Sequence, residues 1–170
     1  MIISISGIER SGSTVQYNVV RLILLEMGFT VNICGNKYIN RPLGPGKVDL
    51  LKIHTYAPRV ARAADYIFLT ERNIADIKAS MERFYGEKPS HHKISNARAW
   101  LMAYKQLDNS YLIPYDRFKD DKMVLIEWAK RILNADVDPQ KILRQFNAIG
   151  LPDEGQDDNS LFFHNHITKK

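Results

Sequence analysis

Short apolar runs alternate along this chain with longer segments of helical period. Ile2–Ser6 reads as a first strand, and Thr14–Met27 as a helix carrying Val15, Val19, Leu22, Ile23 and Met27 at helical spacing. Gly28 stops that helix. Thr30–Cys34 is a β-branched run, followed by the Gly/Pro/Asn-rich stretch "GNKYINRPLGPGK". Asp49–Ile53 and Tyr66–Thr70 are near-continuously apolar, as buried parallel strands tend to be, and Tyr111–Tyr115 is a fifth strand. Helical patterns cover Ile74–Phe84, Ile94–Leu107, Lys122–Leu133 and Pro139–Ile149, the last opened by Asp138 as N-cap and a proline at the first helical position. This alternation predicts an α/β fold of three layers around a mostly parallel sheet. In such sheets ligands sit beyond the carboxyl ends of the strands. Arg10 to Thr14, His54 and Arg72 all follow strands, so the candidate chemistry falls at that edge.

At 170 residues the chain suits one domain, spanning 1–170, with 151–170 as a tail that is polar apart from the apolar "LFFH". There are no internal repeats. With 24 Lys+Arg against 19 Asp+Glu, the formal charge is +5, a mild tilt that suits an anionic ligand. No clustered basic stripe with interleaved aromatics points to nucleic acid. A single cysteine, Cys34, excludes an internal disulfide. With neither a secretory leader nor an apolar run long enough to span a membrane, the expected location is cytoplasmic.

The segment "GIERSGST" (7–14) joins the first strand to the first helix. A strand, Gly-rich turn and helix present backbone N–H groups and a helix N-terminus to an anion. Arg10 adds a bidentate guanidinium, and Ser11, Ser13 and Thr14 add hydroxyls around Gly12. A nucleoside triphosphate kinase needs a lysine where Ser13 stands. The loop is thus P-loop-like without the kinase lysine.

This segment resembles the phosphosulfate loop of the PAPS-dependent sulfotransferases, which "RSGST" (10–14) matches. Three further blocks recur in the order of that family. "LLKIHTYAP" (50–58) looks like its strand ending in Lys-x-His; "DYIFLTERNIADIKASMERF" (65–84) resembles its 3′-phosphate motif; "YLIPYDRF" (111–118) is similar to its Tyr-Glu-Asp segment. The resemblance implies His54 as catalytic base, Arg72 and Ser80 as 3′-phosphate ligands, and Tyr115 beside the adenine. Arg10, Ser11, Gly12, Ser13 and Thr14 would then hold the 5′-phosphosulfate, and Arg10 and Lys52 would stabilise the transferring group. Taken alone, each residue has a plainer reading. His54 caps a strand, Arg72 pairs with Glu71, Ser80 is a small helix-face residue, and Lys52 pairs with an acid or faces solvent.

The family's Arg-Lys-Gly closing loop has no counterpart here; in the tail, His166, Lys169 and Lys170 are the candidates to replace it. His91, His92, His164 and His166 lack the accompanying Cys or carboxylate spacing of a metal site, so no metal is expected. The expected function is sulfuryl transfer from PAPS to an acceptor hydroxyl or amine. A saccharide, phenol, lipid or small alcohol fits equally well, and the oligomeric state is not readable. Two alternatives remain: a P-loop kinase of a nucleoside or small metabolite, and a nucleotide-binding module without catalysis.

Overall fold

The computed structural model of the protein describes residues 1–34 and 43–149. Residues 35–42 and the tail from 150, with His164, His166, Lys169 and Lys170, lie outside the described residues. The elements run β1 (Ile2–Gly7), α1 (Ser13–Glu26), β2 (Thr30–Cys34), β3 (Lys47–Ile53), α2 (Pro58–Ala63), β4 (Tyr66–Glu71), α3 (Ile74–Tyr85), α4 (His91–Lys105), β5 (Ser110–Pro114), a 3-10 turn (Tyr115–Arg117), α5 (Lys122–Ile132) and α6 (Pro139–Asn147). The five strands form one sheet in the order β2-β3-β1-β4-β5, and every pairing is parallel. The order reverses at the central β1, which places a crevice at the carboxyl end of that strand.

Period-two alternation divides the core into two layers. Ile3, Ile5, Leu50 and Phe68 face one way, against Val19, Val20 and Ile23 of α1, Leu125 and Ile126 of α5, and Ile142 and Phe146 of α6. Leu51, Ile53, Ile67 and Leu69 face the other way, against Val60 of α2, Ile77 and Met81 of α3, and Ile94, Trp100 and Tyr104 of α4. Trp128 packs edge-on against Phe68, 5.5 Å between ring centres, so both tryptophans belong to the packing, as their helical spacing implies. Burying each such aliphatic or aromatic side chain is worth roughly 1.5–3 kcal/mol. The expected three-layer α/β sheet is the one observed.

Four helices are stopped at their N-termini by their own side chains. Asn73, Ser90, Asp121 and Asp138 accept from the backbone N–H groups of Ala75, Lys93, Met123 and Gln140. Ser90 thereby starts α4 at His91, three residues before the helical pattern at Ile94, so the His91-His92 pair forms the first turn of the helix. Tyr115, expected to end β5, instead opens the 3-10 turn after it. α2 is an addition to the expected elements.

Candidate active site

The loop after β1 is shaped by two left-handed residues. Arg10 has φ 67° and Gly12, the N-cap of α1, φ 96°. Glycine adopts that conformation freely, whereas an arginine there is strained. A Cβ at Gly12 would lie 2.4 Å from Cδ2 of Tyr115, so the ring sits directly against the loop. No side chain caps α1, and its first turn has no acidic residue. The N-terminal N–H groups of α1 and the positive end of its dipole are thereby left facing the crevice.

One cavity opens there, lined by Arg10, Gly12, Ser13, Thr14, Lys52, His54, Arg72, Ser80 and Tyr115. Eight of these nine share a sheet edge because they follow β1, β3, β4 and β5 or lie at the ends of those strands; Ser80 is delivered by α3. Arg10 Nε donates to Ser80 Oγ at 3.1 Å, and the Arg10 guanidinium lies 4.6 Å over the ring of Phe84. Arg72 donates to the carbonyl of Arg10 at 3.1 Å and stacks 4.6 Å over the ring of Tyr115. Arg72 Nε has no hydrogen-bond partner among the described residues; the carboxylate of Asp76 is 4.0 Å away. Glu71, which the plainer reading paired with Arg72, binds Lys105 instead, with both oxygens at 2.8 Å.

Lys52 Nζ donates to Thr14 Oγ1 at 2.7 Å, tying β3 to the first turn of α1. Burial, then the nearby Arg10 charge, pulls its ammonium from 10.5 down to about 8, while Glu9 works the other way. That displacement corresponds to on the order of 3 kcal/mol against keeping Lys52 charged in this setting. Burial likewise lowers Arg10, although a guanidinium keeps its proton. Burial also lowers His54, only partly offset by its bond to Gly7. His54 Nδ1 lies 2.8 Å from the Gly7 carbonyl, which can only accept, so Nδ1 carries the proton and Nε2 the lone pair. With its proton affinity lowered from the ordinary 6.5, the imidazole is neutral at pH 7, in the tautomer of a base.

Of residues 10–14, Ser11 alone does not line the cavity. Its side chain is fully buried, and its hydroxyl meets Thr70 Oγ1 at 2.8 Å. The Ser11 N–H bonds the Ile8 carbonyl at 3.0 Å, so Ser11 braces the turn against β4. Glu9, Val15, Asn18 and Tyr85 also line the cavity and were not singled out from the sequence. Glu9 sits in the quoted loop, and Tyr85 lies five residues after Ser80 on α3, so proximity to the motifs was the available clue.

No family model matches the chain, and no curated protein matches it. Solved structures do. The mouse sulfotransferase SULT7A1 complexed with PAP superposes with a TM-score of 0.62 over 85% of this chain and 63% of its own, at 16% identity. Retinol dehydratase complexed with retinol and PAP gives 0.56 over 88% of this chain and 64% of its own, at 12% identity. A sugar kinase from Janibacter sp. HTCC2649 gives 0.52 over 79% of this chain and 95% of its own, at 12% identity. The chain spans somewhat under two thirds of the two PAP-bound proteins. No helix among the described residues is long and apolar enough to cross a membrane. The likeness at these identities is one of architecture, and by that measure the chain has the fold of the PAPS-dependent sulfotransferases.

Proposed function

We propose that the chain is a PAPS-dependent sulfotransferase, moving a sulfuryl group from PAPS to an acceptor hydroxyl or amine. The observation that carries this reading is the convergence of three cations, Arg10, Lys52 and Arg72, on the uncapped start of α1. Such a set is costly to hold together without an anion. The donors fit PAPS by their chemistry: Arg72 has a buried Nε with no hydrogen bond among the described residues, and Gly12 leaves the backbone approachable. The cavity, of about 120 Å³, has room for phosphate groups but not a whole nucleotide, so the nucleoside would extend past it along Tyr115.

PAPS would supply the activated sulfuryl group and a 3′-phosphate. Arg10, with Ser13, Thr14 and the N–H groups of the loop, would hold the 5′-phosphosulfate and neutralise charge that grows there. Arg72 and Ser80 would hold the 3′-phosphate. Lys52 would recover a full charge beside the bound anion. His54 Nε2 would accept the acceptor's proton. A transferring sulfuryl carries less charge than a γ-phosphoryl, which removes the need for the kinase lysine absent at Ser13. A kinase would also require a strand-end carboxylate for its metal, and Glu71 is held by Lys105 in a different cleft.

Turnover of PAPS with a panel of acceptors in metal-free buffer tests the reading. His54→Ala should lower turnover roughly 10²–10⁴-fold while leaving PAP affinity nearly unchanged. Undiminished turnover would remove His54 as the base, and no turnover with any acceptor despite tight PAP binding would favour the non-catalytic module.

A further inference from the structure

A second cleft adjoins the cofactor cavity, and His54 and Glu9 belong to the walls of both. Its floor is apolar and buried, built from Met81 of α3 and Ile94 and Trp100 of α4. Its volume is about 250 Å³. A buried apolar cavity of roughly 150 Å³ accommodates benzene, so this cleft has room for a compound of about one to two rings. The charge at its mouth is balanced. Lys93 Nζ meets Glu9 Oε2 at 2.8 Å, joining the phosphate loop to α4 across the junction. His54 is neutral at pH 7, because burial lowers its proton affinity from the ordinary 6.5.

We propose that the Glu9–Lys93 pair sets the charge class of the acceptor, so that the cleft takes an uncharged hydroxyl compound of one or two rings and disfavours an anionic one. The catalytic use of the cleft rests on the sulfotransferase reading; its binding preference does not. Lys93 is the cation at the mouth, and its charge is already matched by Glu9 at contact distance. An acceptor carboxylate or sulfate would have to compete with Glu9 for Lys93 while approaching the Glu9 carboxylate itself. An uncharged acceptor meets neither obstacle, and its rings would cover Trp100 and Met81 with the hydroxyl toward His54. The pair lies in a half-exposed position, so each charge change should shift relative affinity by a few-fold.

Two naphthols that differ by one carboxylate test this: 2-naphthol and 6-hydroxy-2-naphthoate. Binding is read from Trp100 fluorescence in the full chain carrying Trp128→Phe, a change remote from both cavities, with PAP titrated separately into each variant. Wild type at these two positions should prefer 2-naphthol. Glu9→Gln frees Lys93 and should move the affinity ratio roughly three- to fivefold toward the acid. Lys93→Met leaves Glu9 unpaired and should move it the same amount the other way. Opposite shifts cannot come from a merely structural role, which would weaken both probes together. A wild-type preference for the acid, or a ratio unmoved or moved in one direction by both variants, would overturn the proposal. Opposite shifts in a chain that fails to bind PAP would uphold the gate and remove the sulfotransferase reading instead.

Discussion

Lys52 and His54 are two residues apart, and burial lowers both, with opposite consequences for function. In the proposed reaction His54 would have to be neutral to take a proton, and Lys52 charged to meet the anion. Activity should rise as His54 loses its proton below its ordinary value of 6.5, and fall as Lys52 loses its own near 8. The profile of kcat/KM against pH, which reports the free enzyme, is therefore expected to be a narrow bell. Lys52→Arg should carry the alkaline limb out of range and leave the acid limb in place. An alkaline limb that stays near 8 in that variant would assign it to another group. The same shifts make the unliganded fold pH-sensitive. Because folded Lys52 holds its proton less tightly than unfolded lysine, its charge costs stability below pH 8, and that cost fades as pH rises from about 8 toward 10.5. The lowered His54 costs stability in the other window, as pH falls below 6.5. At this scale the sequence was informative about identity and silent about direction. The family resemblance named His54, Arg72 and Ser80, and all three line one cavity. It also named Ser11, whose hydroxyl turns inward to Thr70, because a loop pattern does not encode which way each side chain points.

Among the elements, the strand–loop–helix unit at the N-terminus does the most to build the site, and Gly12 is one of its two tight points, with Gly7. Two left-handed glycines bracket α1 and provide a matched comparison. Gly28, at φ 83°, has no atom within 4 Å of the place a methyl group would occupy, while at Gly12 the methyl would strike Tyr115. Gly28→Ala should cost about 1–2 kcal/mol from backbone conformation alone, with PAP affinity unchanged. Gly12→Ala should cost more and weaken PAP as well, since Tyr115 and the loop must both move. Urea unfolding combined with PAP titration separates the two, and equal behaviour of the variants would contradict the close packing of loop and ring. Strands were legible because each is a compact apolar run; their ends shifted by at most two residues. The α2 helix was not, because six residues opening on Pro58 look like a turn. Its buried Val60 and Ala61, with Ala64 just beyond its end, are intelligible only once a sheet face is there to cover. Ser90, the cap of α4, was likewise overlooked in favour of the apolar period that begins at Ile94.

For the whole molecule, alternation of strands and helices implied the parallel three-layer class, but not the order β2-β3-β1-β4-β5. That order depends on which strands exchange backbone hydrogen bonds across long sequence separations, which no local pattern carries. It nevertheless has the main functional consequence, because reversal at β1 gathers loops from four strands around one crevice. The rule that ligands lie beyond the carboxyl ends of strands, applied before the order was known, named the edge at which the cavity opens. The proposed 3′-phosphate site is the feature that would set a sulfotransferase apart from a kinase or a general nucleotide binder.

That site is probed by calorimetric titration of the protein with PAP, ADP and magnesium-ATP in parallel. Hydrogen bonds to a charged group are worth about 1.5–3 kcal/mol, so the absent 3′-phosphate should weaken ADP by roughly ten- to a hundredfold against PAP. PAP should bind without metal, and Arg72→Ala should bring its affinity down to that of ADP. Binding of magnesium-ATP but not of PAP, or equal affinity for PAP and ADP, would contradict the sulfotransferase assignment.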